Sequence, residues 1–317
     1  MTESTLEVSV IIPAYGVAPF IVEALSSVIG QTEKRWEVIV VNDGSPDTQA
    51  LEAALDPFRD RISYHSQPNL GVAAARNAAV RIARGRWLAF LDGDDLWEPA
   101  FLARQLQFLE ANGLDMAWSD GWYAGDVAPS GSRLMAIAPC RGPVTVMALL
   151  TGAVSVTTSA TVVRRQLVEA AGGFDEALLR GQDFDLWVRL LHRGIRAGYN
   201  PEALIRYRVR PGSLSGDEVA QAERAVTVVR GLRTKLRFTK ADAAALDERI
   251  ADLEAHLALA TGKRHLARGE YDLAGRELRA AKRGLPSARL RIALVLLRLM
   301  PGLVRRLHLA RNPGEGR

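Results

Sequence analysis

The N-terminal half of the chain alternates short apolar runs with stretches of helical spacing. Val8-Ser9-Val10-Ile11-Ile12 is a β-branched run that stops at Pro13. A run this short and continuous predicts a strand buried on both faces. Ile21, Leu25, Val28 and Ile29 follow at the spacing of one helix face, with Pro19 near the start. Trp36 to Val41 predicts a second strand, which runs into Asn42-Asp43-Gly44. Asp47 is placed to cap a helix through Leu55. Ile62 to His65 predicts a third strand, and the Ala-rich stretch from Gly71 to Arg84 a helix. Trp87 to Leu91 predicts a fourth strand, running into Asp92-Gly93-Asp94-Asp95, and Pro99 to Asn112 another helix. Strand and helix in alternation imply an α/β fold with a mainly parallel sheet covered on both faces.

After Gly113 the pattern loosens. Residues 125–143 are rich in Gly, Pro and Ser and read as a loop. Val154 to Val163 is β-branched and reads as a strand. Phe184 to His192 reads as a helix entered through the acidic turn Gly181-Gln182-Asp183. Pro211-Gly212-Ser213-Leu214-Ser215-Gly216 reads as a linker. Beyond it the chain is helical to Leu309. Two domains are therefore expected, at 1–215 and 216–317.

Open parallel sheets bind ligands beyond the carboxyl ends of their strands. Here those ends carry Pro13-Ala14-Tyr15, Asn42-Asp43-Gly44 and Asp92-Gly93-Asp94-Asp95. Topology alone places three polar clusters on one edge. Asp92 and Asp94, one residue apart after a buried strand, suit a hard divalent cation such as Mg2+ or Mn2+. A plain polar turn is the alternative. Asp43 can accept hydrogen bonds from a nucleobase or a ribose. Tyr15 offers a ring for stacking. Arg76 lies on the helix before the acidic strand end, where a diphosphate needs a cation.

These residues, in this order, resemble the family 2 glycosyltransferases. The matching stretches are Ile11 to Tyr15, Val40 to Asp47, Asn69 to Asn77, Phe90 to Asp95, Gly172 to Glu176 and Gly181 to Leu190. The resemblance runs from about residue 7 to 215. It implies a GT-A fold, a Rossmann-like nucleotide-binding domain, and a nucleoside-diphosphate-sugar donor. By position, Pro13, Ala14, Tyr15 and Asp43 would hold the base, and Asp92 with Gly93 the ribose end of the donor. Asp94, with Asp92, would bind the divalent metal, and Arg76 would lie near the phosphates. Asp183 matches the catalytic base of an inverting displacement. The acceptor would be a glycan, a lipid-linked glycan or a cell-surface polysaccharide of the cell envelope.

The sequence departs from the family in three places. Gly16 stands where many members have Asn, Gln182 where Glu is usual, and Arg210 where His is frequent. A Gln-x-x-Arg-Trp segment after Asp183, which processive synthases carry, is absent, so transfer of a single sugar is expected. Gln182 keeps a second class open: a nucleotide-sugar-binding scaffold whose helical tail docks a partner. A nucleotidyltransferase would need a Gly-rich loop where Pro13-Ala14-Tyr15-Gly16 stands.

Charge changes the picture at the C-terminus. The net charge is +5, yet residues 263–317 hold 14 basic and 4 acidic residues and the rest of the chain is net acidic. A basic amphipathic end can lie on an anionic membrane or can simply be a solvated face of packed helices. Arg291, Arg298 and Arg305 recur every seventh residue, with Pro301 expected to kink or split their helix. The basic segment lacks interleaved aromatics, so nucleic acid is not an expected partner. A single cysteine, Cys140, and the acidic N-terminal segment at Glu3 fit a cytoplasmic protein, peripheral at most to the inner membrane face.

Overall fold

The computed structural model describes residues 6–125, 130–137, 140, 142–209 and 218–311. The chain divides into two compact units, Met1–Pro211 and Gly212–Arg317. The predicted linker at 211–216 and Arg210 lie outside the described residues.

The first unit runs β1 (Val8–Ala14), α1 (Ile21–Ile29), β2 (Trp36–Asp43), α2 (Thr48–Leu55), β3 (Ser63–Gln67), α3 (Val72–Ile82) and β4 (Trp87–Phe90). It continues with β5 (Leu96–Trp97), α4 (Phe101–Ala111), β6 (Met116–Ala124), α5 (Leu134–Ile137), α6 (Val146–Leu150), β7 (Thr161–Arg164), α7 (Arg165–Ala170), α8 (Gln182–His192) and β8 (Ala197–Arg208). The strands form one sheet in the order β3-β2-β1-β4-β7-β6-β8-β5. The half built from β3, β2, β1 and β4 is parallel throughout, as the strand–helix alternation predicts. Beyond β4 the sheet is mixed: β7 is antiparallel to both neighbours, and β6 pairs parallel with β8.

The β-branched strands are central because they bury both faces. Val10, Ile11 and Ile12 of β1 and Val40 of β2 are fully buried. The parallel register sets Ala14 beside Asn42 and Ile11 beside Phe90, so these strands end together.

Three local expectations are corrected. The run from Val154 to Val163 is a strand only from Thr161; Thr158–Ala160 is a 3-10 turn. Its polar residues, Thr158 and Ser159, take side-chain partners across the site, which a strand's alternation would not allow. Asp47 occupies the N-cap position of α2 but makes no side-chain cap bond. Its carboxylate instead accepts from the Ala18 amide at 3.0 Å and from the Ser45 hydroxyl. Gln182 and Asp183 belong to the first turn of α8, with Gly181 (φ +74°) as the capping residue.

The second unit holds α9 (Glu218–Lys235), α10 (Lys240–Ala267), α11 (Tyr271–Gly284), α12 (Ala288–Leu299) and α13 (Pro301–Arg311). Helices α10 and α11 are antiparallel and approach closely through small residues. A Cβ on Gly262 would sit 2.9 Å from Leu278, and one on Gly284 would sit 2.6 Å from the Cβ of Ala255. Leu266, Ala274, Leu278, Leu290, Leu297 and Val304 share one apolar core. Pro301 does split the helix, and it begins α13 rather than kinking a continuous one. Arg305, on the far side of the split from Arg291 and Arg298, is half-buried, and its Nε donates to the Ala267 carbonyl at 2.9 Å.

Candidate active site

The three polar clusters leave the sheet at one edge. At the first, Tyr15 is half exposed (51%), Pro13 is partly covered and Ala14 is buried. The Gly16 amide donates to Ser45 Oγ at 2.7 Å. Together with the Asp47 contacts, this ties the turn after β1 to the turn after β2. Asp43 is buried and well occupied. Its Oδ1 accepts from Gln67 Nε2 at 2.7 Å and from the Leu70 amide at 3.0 Å, and its Oδ2 accepts from the Gly71 amide at 2.8 Å. It therefore pins the loop into α3; a carboxylate with about four acceptor positions still has capacity for a ligand. Gly44 next to it has φ +61°, and a Cβ there would lie 2.5 Å from the Asn69 amide nitrogen. Only glycine combines that dihedral with that approach.

The acidic cluster follows β4. Arg76 is buried, not solvated, and its Nη2 donates to Asp92 Oδ1 at 2.6 Å. Its guanidinium lies over the Phe174 ring at 5.5 Å, and its Nε and Nη1 are buried without hydrogen-bond partners. Gly93 is buried against the turn that leads into α1: a Cβ would meet Val17 Cγ2 at 2.9 Å. Asp94 is partly exposed, and its carbonyl accepts from Arg208 Nε at 2.9 Å. Asp95 is buried and accepts from the Arg208 amide at 2.8 Å. Burial first, then the charges of Asp94 and Asp92, push its carboxyl well above the usual range, against hydrogen bonds from Ser159 and Arg208. The Tyr207 phenol is raised by burial and then by Asp95, Asp92 and Asp94, so it faces the same acidic field.

Asp183 comes from a different element and is brought to this cluster by the Thr158–Ala160 turn. Thr158 Oγ1 donates to Asp183 Oδ2 at 2.8 Å, while the Asp92 amide donates to Ser159 Oγ at 3.2 Å. The turn is fixed from behind. Trp97 Nε1 donates to the Ser159 carbonyl at 2.7 Å, and Gln105 Nε2 donates to the Ala160 carbonyl at 2.9 Å. Helix α8 is anchored to β4 through Phe90, Phe174 and Trp187, whose rings meet edge to face at 5.4 to 6.2 Å. The Gly173–Phe174 segment is held by Asn77, which accepts from the Phe174 amide at 2.8 Å and donates to its carbonyl at 2.9 Å. Gln182 is buried, and its Oε1 has no partner.

Sequence reasoning missed Thr158, Ser159 and Tyr207, and gave Asp95 no part beyond its place in the acidic cluster. The one available signal was the polar Thr157-Thr158-Ser159 interruption in a β-branched run.

No group of three or more His, Cys, Asp and Glu arranged for a metal ion occurs among the described residues. Asp92 and Asp94 nevertheless fit a hard divalent cation that keeps water and shares a diphosphate, since such ions need only one or two protein carboxylates.

The sheet order and the carboxylates at its edge define a GT-A nucleotide-binding fold, and solved structures share it. Staphylococcus aureus TarS 1-349 superposes with a TM-score of 0.61 at 17% identity, covering 97% of this chain and 92% of that one. The mannosyltransferase PcManGT from Pyrobaculum calidifontis, solved with GDP-Man and Mn2+, gives 0.60 at 20% identity, over 99% and 88%. The glycosyl transferase family 2 model matches residues 9–171. TuaG of Bacillus subtilis, named as a teichuronic acid biosynthesis glycosyltransferase, is 31% identical over 237 residues, which is 74% of this chain and 91% of TuaG. The Escherichia coli glucosyltransferase WfaP, named for an α-D-GlcNAc-diphosphoundecaprenol acceptor, is 27% identical over 72% of this chain and 87% of WfaP. A Rickettsia felis protein named as an uncharacterized glycosyltransferase is 30% identical over 65% of this chain, which spans only 34% of that relative. The chain belongs to glycosyl transferase family 2.

Proposed function

We propose that this chain moves one sugar from a nucleoside-diphosphate donor to an acceptor hydroxyl, with inversion at the anomeric carbon. The observation that carries the reading is the Thr158–Ser159 bridge, which ties the Asp183 carboxylate to the Asp92 end of the acidic cluster. A base for the acceptor and a seat for the donor diphosphate are thereby held in one frame.

In this reading Pro13, Ala14, Tyr15 and Asp43 hold the base, with Tyr15 free to stack. Asp92 and Gly93 take the ribose end of the donor, and Asp94 with Asp92 holds a Mg2+ or Mn2+ ion. The ion supplies Lewis-acid stabilisation of the leaving diphosphate. Arg76 acts from behind: its ion pair fixes Asp92 and offsets part of the local negative charge. The acceptor oxygen attacks C1 as the bond from C1 to the diphosphate oxygen breaks, and that bond's electrons leave with the nucleoside diphosphate. Asp183 takes the acceptor proton. It stands in the first turn of α8, beside Gln182. Gln182 adds no like charge beside it.

The acceptor we infer is a glycan of the cell envelope, free or lipid-linked, in keeping with what TuaG and WfaP are named for. The test is a panel of nucleoside-diphosphate sugars with Mn2+ and envelope-glycan acceptors, with the anomeric configuration of any product read by NMR. Transfer with inversion is expected. Donor binding without transfer or hydrolysis across the panel would favour the scaffold reading that Gln182 leaves open.

A further inference from the structure

We propose that the outward face of α12 and α13 docks onto an anionic lipid bilayer. Six large apolar side chains are exposed between residues 292 and 307: Ile292, Val295, Leu299, Met300, Leu303 and Leu307, with Leu299 70% exposed. Elsewhere in the described chain, exposed large apolar residues are scattered singly, as is ordinary for a protein surface. Here six gather within sixteen residues: Ile292, Val295 and Leu299 share one face of α12, and Leu303 and Leu307 share one face of α13. Leu290, Leu297 and Val304 point the other way, into the core of the unit, so the exposed six are surplus to packing. A gathering of exposed apolar side chains of this kind marks an interaction surface.

Charge names the occupant. Residues 285–311 contain six arginines and no Asp or Glu. Arg291 and Arg298 are exposed along one flank of the α12 stripe, and Arg306 lies beside Leu303 and Leu307 on α13. Apolar side chains flanked by arginine, without acid, match the acyl boundary and phosphate headgroups of an anionic leaflet. A second copy of the chain would set these arginines against one another. Nucleic acid would leave the apolar stripe in water, and no aromatic residue in 285–311 is available to stack a base. No helix among the described residues is long and apolar enough to cross a membrane, so the contact is one of lying on the surface. The inference does not rest on the sugar-transfer reading; either can fail without the other.

The test is flotation of the full chain with phosphatidylcholine vesicles and with vesicles of equal parts phosphatidylcholine and phosphatidylglycerol. The chain is expected to float with the anionic vesicles at low salt, to be released at high salt, and to remain behind with the neutral ones. Leu299→Asp with Leu303→Asp, and separately Arg291→Gln with Arg298→Gln, should each weaken anionic-vesicle binding at least about tenfold. The arginine pair is exposed, so that variant keeps its fold by circular dichroism even where the leucine pair does not. Failure of the wild type to float, or unchanged flotation of a folded arginine variant, would overturn the proposal. So would a wild-type dimer, by light scattering, that Leu299→Asp converts to monomer, since that assigns the face to a second copy.

Discussion

Asp183 and Asp94 separate the two halves of the proposed chemistry. Asp183→Asn keeps the shape and the hydrogen bond from Thr158 but cannot take a proton. Transfer should fall by about 10²- to 10⁴-fold while donor binding in calorimetry stays near wild type. Asp94→Ala should leave the fold intact and weaken Mn2+-dependent donor binding at least about tenfold, since a carboxylate ligand is lost. An unchanged metal requirement in that variant would remove Asp94 from the cation site. Asp94 was marked in the sequence by an acidic pair just past a buried strand, whereas Asp183 was marked as a base only by the resemblance to the family. Arg76 was singled out in the sequence as a cation, but its partner in the fold was not legible. Only the packed helix shows that it is buried against Asp92 and Phe174.

The Thr158–Ala160 turn is the element that sequence periodicity concealed. It sits inside a β-branched run, and its role depends on contacts to Trp97, Gln105, Asp92 and Asp183, which lie 25 to 67 residues away. Thr158→Val removes the hydroxyl while keeping the shape. It should lower kcat about tenfold with little change in the donor KM, and Thr158→Ser should restore most of the loss. A Thr158→Val enzyme with wild-type kcat would show that the bond does not position Asp183. The turn after β2 is constrained more tightly. Gly44→Ala places a Cβ 2.5 Å from the Asn69 amide nitrogen at a positive φ, and should cost roughly 2 kcal/mol or more in denaturant unfolding. The strands of the first unit were readable as short continuous apolar runs, and its long helices by the spacing of their buried face. The antiparallel joining of β7 to β4 and β6 was not, because pairing partners leave no local mark on the sequence.

On the scale of the whole chain, the division of charge falls across two compact units. The GT-A unit carries the carboxylates of the proposed donor and acceptor chemistry. The basic excess gathers in helices α11 to α13, outside the residues that match the family model. Removing the charge of Arg291 and Arg298 should therefore alter lipid binding without changing turnover of a water-soluble acceptor. Arg291, Arg298 and Arg305 do not act as one set: Pro301 begins a new helix, as expected, and Arg305 is half-buried against the Ala267 carbonyl. The most direct test of sugar transfer at this edge is nucleoside-diphosphate release by the wild type and by Asp183→Asn, each saturated with its preferred donor, an acceptor and Mn2+. Sustained release by the wild type, with release lost in a variant that still binds donor, is the predicted result. Equal release by both proteins would contradict it.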